Sequence, residues 1–153
     1  MSTTAFFIQQ WQEARTRFSR QLPALTASDL AKKLAPAPNS AGFLIRHIAD
    51  VELLFAKNVF NAPDIKVVAK TVIDQHDTGQ WTDLQDLKDY QQSAFEQLSA
   101  VLSRQPDDSW EEKITTKEFG EKSKAEALGR IVSHTAYHAG QLAMILKYGQ
   151  PAL

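Results

Sequence analysis

The 153-residue chain contains no cysteine. That absence excludes a disulfide framework, a thiolate-bound zinc or iron–sulfur site, and a cysteine nucleophile. An excess of one charge is also missing: 17 Lys and Arg stand against 18 Asp and Glu, for a net charge of −1. Proteins that grip nucleic acid neutralise phosphates with a basic face, so no nucleic-acid partner is expected. No apolar run approaches the ~18–20 residues of a membrane span. The opening Met-Ser-Thr-Thr-Ala-Phe-Phe-Ile turns polar at Gln9-Gln10 with no basic leader, so no signal peptide is expected. These absences predict a cytoplasmic protein with no membrane partner. The 43% hydrophobic content suffices for one ordinary core, and residues 1–153 read as a single domain.

Glycine and proline number six each, and the prolines fall between stretches of helical period. The first such stretch runs from about Thr4 to Arg20, with Phe7, Trp11, Ala14 and Phe18 on one stripe. Pro23, Pro36 and Pro38 interrupt the connection that follows, which has room for a short turn near Ser28–Leu34. A second helix starts after the capping residues Asn39 or Ser40 and runs to about Phe60, where Pro63 forbids continuation. Residues 61–80 are rich in β-branched side chains without clean alternation. They read as an excursion over the bundle with a short extended piece. Thr82-x-x-Gln85 fits a capping box for a third helix to about Arg104. Residues 110–122 suit a small hairpin around Phe119-Gly120. Ser123-x-x-Glu126 caps a fourth helix that ends at Tyr148, before Gly149 and Pro151. The fold class predicted is all-α, a four-helix bundle with long crossover connections.

Three of the four histidines fall on inward-facing helical positions. His134 and His138 lie 40° apart on one helix face, beside Ile131, Leu142 and Ile145. His47 shares its face with Leu44, Val51, Leu54 and Phe55. Each imidazole has two ring nitrogens to satisfy in an apolar setting. Hydrogen bonding within the core satisfies any single one, whereas a shared divalent ion satisfies all three. The pattern alone leaves both open. His134-Thr-Ala-Tyr-His138 lacks the glutamate of a zincin motif. No Glu-x-x-His occurs for a di-iron bundle, and no CxxCH for haem attachment.

The segment Leu44-Ile-Arg-His47-Ile-Ala-Asp50, followed about 90 residues later by His134-Thr-Ala-Tyr-His138-Ala-Gly-Gln141-Leu142, resembles the DinB/YfiT superfamily of metalloenzymes over nearly the whole chain. The resemblance implies a four-helix bundle with a divalent transition metal at its mouth, held by three histidines. It points to His47, His134 and His138 as the ligands, and to a homodimer. It also implies thiol-dependent chemistry, since the characterised branches are bacillithiol and glutathione transferases and a mycothiol-dependent maleylpyruvate isomerase.

Three neutral ligands leave an ion its full charge and an open position, the arrangement of a catalytic rather than a structural site. Zinc, nickel, iron and manganese all accept imidazole. The leading expectation is transfer of an external low-molecular-weight thiol to a small-molecule electrophile. Hydrolysis or isomerisation using metal-bound water is the alternative, and a non-catalytic bundle that binds a ligand or partner is a third. Asp50, at the edge of the His47 face, is the candidate catalytic carboxylate. It would accept a hydrogen bond from a ligand imidazole or act as a base, against the plainer reading of a solvated carboxylate. Gln141 and Asn58, both placed on core-side faces, are candidates for substrate binding. His76, in Asp74-Gln-His-Asp77, reads better as a solvated loop residue than as a fourth ligand. Arg46 and Tyr137 flank the ligand positions, where they could bind an anionic substrate group, but they read better as surface residues.

Overall fold

The computed structural model of the protein describes residues 1–151. Four long helices dominate: α1 (Thr3–Ser19), α2 (Ala41–Asn58), α4 (Leu84–Ser103) and α5 (Lys124–Tyr148). One helical turn, α3 (Lys70–Ile73), lies in the long α2–α4 connection. A 3-10 turn at Ala27–Asp29, close to the short turn expected near Ser28–Leu34, and two small antiparallel pairs complete the order. β1 (Lys32–Lys33) pairs with β4 (Gln150–Pro151), and β2 (Lys113–Thr116) with β3 (Gly120–Ser123). The all-α bundle expected from the periodicity is the observed fold. The extended piece anticipated within residues 61–80 is not there; α3 takes its place.

The helices pack in a ring, α1–α5–α2–α4. Thr4 meets Gln105, and Arg15 meets Gln91, so α1 and α4 are antiparallel. Asp50 meets Tyr90, and the Phe60 carbonyl meets Gln105, so α2 and α4 run the same way. A parallel neighbour cannot be reached by a tight turn. The connection must travel back along a helix of about 27 Å, which is why residues 59–83 form a long crossover.

Local chemistry fixes the helix ends. The Ser40 hydroxyl accepts from the Phe43 amide at the start of α2. Ser123 and Glu126 make a reciprocal capping box at α5, as their spacing predicts. At α4 the cap is Asp83, whose carboxylate accepts from the Asp86 amide, and not Thr82. Buried apolar residues form two clusters along the bundle, one around Trp11, Leu98, Leu102 and Ile131, the other around Phe18, Leu44, Ile48 and Leu142. A buried ion pair bridges α1 and α2. Arg15 Nε and a terminal nitrogen donate to the two Glu52 carboxylate oxygens at 2.8 and 3.1 Å, and that terminal nitrogen also reaches the Gln91 carbonyl and amide oxygens. The guanidinium lies over the Phe18 and Phe95 rings. Burial raises the Glu52 pKa, and Arg15 opposes that rise. Among the described residues, no helix is long and apolar enough to cross a membrane.

Candidate metal centre

Where α2 passes α5, the three predicted histidines meet. His134 Nε2 stands 3.1 Å from His47 Nε2, and ring centroids lie 4.4–4.9 Å apart across the three pairs. One nitrogen from each ring falls within 4.8 Å of the others. The i,i+4 spacing on α5 supplies two of the rings from one element; the third comes from the antiparallel neighbour.

The surroundings fix which nitrogen His47 and His138 present. Asp50 is fully buried. Its carboxylate accepts from Arg46 Nε at 3.0 Å, Tyr90 Oη at 2.6 Å, the Thr71 amide at 3.2 Å and the Thr71 hydroxyl at 2.7 Å. Having given its proton to Asp50, Thr71 Oγ1 can only accept from His47 Nδ1, 3.1 Å away. His47 therefore carries its proton on Nδ1 and turns the Nε2 lone pair inward. Gln141 Oε1 does the same for His138, at 2.7 Å from Nδ1. His134 Nδ1 is buried without a partner. Burial, and then the neighbouring imidazoles, push the His47 pKa down to about 4 and that of His134 to about 3; burial also lowers His138.

This donor set fits a divalent ion. One nitrogen of each imidazole lies within 4.8 Å of the others, and a single Nε2–H on His134 cannot satisfy both of the others. Two nitrogens held at 2.0–2.1 Å by one tetrahedral ion stand about 3.3 Å apart, close to the observed His47–His134 spacing. The Nδ1 partners of His47 and His138 are the outer hydrogen bonds that orient metal-binding histidines. The cluster opens into a cleft of about 480 Å³, walled by Phe43, Val51, Leu54, Phe55 and Val72, with Gln75 and Glu118 at its polar edge.

The other sequence candidates fall differently. Asp50 is neither solvated nor in contact with an imidazole; its link to His47 runs through Thr71. Sequence reading missed Thr71 altogether, because nothing in a β-branched loop residue marks it as a partner of α2. Gln141 is half-buried and bonded to His138. Asn58 is exposed, not on a core face, and lies about 16 Å along α2 from His47. It shares the His47 direction, but that side of α2 forms a cleft wall. His76 is exposed, with Nδ1 at 2.6 Å from the Asp74 carbonyl, and is not part of the cluster. Arg46 is no surface residue: its side chain is 14% exposed, paired to Asp50 and seated over the Tyr90 and Trp81 rings. Tyr137 is 66% exposed.

Fold and site together define a helical-bundle protein with a three-imidazole centre. Comparison of the sequence with known families sharpens that class. A profile of the DinB superfamily matches residues 10–142, and the chain belongs to that superfamily. No curated protein matches the sequence significantly. Among solved structures, the mycothiol-dependent maleylpyruvate isomerase superposes with a TM-score of 0.70 at 16% identity, covering 91% of this chain. A histidine-to-alanine mutant of that enzyme gives 0.66 at 14% identity over the same share. The chain spans 60% of the isomerase's length.

Proposed function

We propose that the protein is a metal-dependent enzyme that uses an external low-molecular-weight thiol against a small electrophile. The observation that carries this reading is the gathering of three imidazoles on the wall of an open cleft, with two of the rings locked from behind by Thr71 and Gln141. His47, His134 and His138 hold the ion, one divalent transition metal. When bound, such an ion acts as a Lewis acid and lowers the pKa of a thiol or water beside it. The protein's own residues do the rest. Asp50, anchored by Arg46 and Tyr90, acts through Thr71 to keep His47 in the ligating tautomer. The apolar walls formed by Phe43, Val51, Leu54 and Phe55 exclude water from the reacting groups. Gln141 fixes His138 and, with Asn58, which lines a neighbouring recess beside Leu54 and Phe55, serves substrate binding. A chain without cysteine has to take its thiol from solution. Residues 1–153 act as one domain in this reading, in the cytoplasm and as a homodimer.

Thiol-dependent isomerisation is the second reading, favoured by the maleylpyruvate isomerase neighbours; hydrolysis has no such support. The test uses metal-loaded protein with monochlorobimane as the electrophile and glutathione, bacillithiol or mycothiol as the thiol. Conjugation above the uncatalysed rate with one of these, lost on chelation, is the expected result. Thiol-independent hydrolysis of an ester by the same preparation would contradict the reading.

A further inference from the structure

A side recess of about 340 Å³ adjoins the histidine cleft, sharing Val51, Phe55, Glu118 and His134 with it. Arg130 lies in this recess, one helical turn before His134. Among the described residues it is the one cationic side chain lining either cavity. Its only ionic partner there is Glu118, in the β2–β3 turn, at 3.9 Å. The contact is long, and the two side chains are 46% and 61% exposed. An exposed pair of this kind contributes little to stability. The guanidinium also rests over the Phe119 ring, 5.7 Å from its centroid.

The charges around the site balance except at its centre. Asp50 is neutralised by Arg46, and Glu118 by Arg130. A divalent ion on three neutral imidazoles therefore keeps its charge, and the recess beside it holds a guanidinium whose present carboxylate is easily exchanged. Arginine presents a planar fork that matches a carboxylate with two parallel hydrogen bonds.

We infer that Arg130 is a specificity residue that binds a carboxylate of an anionic substrate next to the histidine centre, in competition with Glu118. This rests on the metal reading above. The substrate class it selects is a small electrophile bearing a carboxylate, and the Glu118 side chain stands in for that group when the recess is empty.

The test is a binding cycle on cobalt-loaded protein, read by the visible absorption of the ion and by calorimetry. The probes are succinate and succinamate, which differ by one carboxylate. In the wild type, succinate should bind at least about tenfold more tightly, the scale of one charge-assisted contact. Arg130→Gln should abolish that preference, lowering succinate affinity by more than that of succinamate. Glu118→Gln should strengthen succinate binding several-fold, since it removes the competitor. Both side chains are surface groups, so circular dichroism should show unchanged folding. Equal preference in wild type and Arg130→Gln, or no binding of either probe to cobalt-loaded protein, would overturn the inference alone. Failure to take up cobalt would overturn the metal reading and this inference with it.

Discussion

At the scale of single residues, the site depends on imidazoles that stay neutral. In the metal-free protein, burial holds His47 near 4 and His134 near 3, against an ordinary value near 6.5. Between those limits the unfolded chain takes up protons that the folded chain refuses. Stability from these groups is therefore whole above pH about 6.5 and is lost as the pH falls towards 4 and then 3. Thermal unfolding of metal-free protein should show a Tm several degrees lower at pH 5 than at pH 7.5. A His47→Gln/His134→Gln variant should show a smaller difference, because its side chains do not titrate. An equal drop in both proteins would mean that the two histidines are not the groups responsible. Glu52, whose pKa is raised, acts in the opposite sense and is common to both.

At the scale of elements, the site exists because the α2–α4 crossover is pinned to α2, through Thr71 and Trp81 among other contacts. Thr71, in α3, bonds Asp50 and His47. Trp81 packs on the first turn of α2, where a Cβ on Gly42 would run into the Trp81 carbonyl oxygen. Gly42→Ala should therefore destabilise the protein by roughly 1–3 kcal/mol, the usual scale of overpacking, although alanine is the better helix former. Denaturant unfolding measures this directly, and a stabilised variant would show that the crossover is free to move. Helix ends governed by neighbouring residues are legible in the sequence: the Ser123–Glu126 box follows from spacing alone, and the α2 cap, Ser40, is one of the two residues, Asn39 or Ser40, that the sequence offers. At α4, Thr82 and Asp83 both carry capping oxygens, and local spacing does not choose between them. The buried pairing of Arg15 and Asp50 is not legible from local sequence, because their partners, Glu52 and Gln91 for one and Thr71 and Tyr90 for the other, lie 21 or more positions away along the chain. Asn58 was misplaced for a related reason. Helical phase gives its direction correctly, but whether a neighbour covers that direction is a tertiary fact.

At the scale of the molecule, the ring order α1–α5–α2–α4 brings an early histidine beside a pair 87 residues further on. It leaves one side of their meeting point open, between the α2–α4 crossover and the β2–β3 hairpin. A chain with this arrangement gathers three uncharged ligands without a compensating carboxylate in direct contact, which favours an ion that retains its charge for chemistry. Binding such an ion to the native state alone also adds stability, by RT ln(1 + [L]/Kd). The three-histidine centre is best tested by the metal content of protein purified without an affinity tag, measured beside a His134→Ala/His138→Ala variant. The wild type should hold one equivalent of a divalent transition metal and the variant none. No metal in either, with no uptake of added zinc or nickel and equal thermal stability, would contradict it and leave three histidines that only pack.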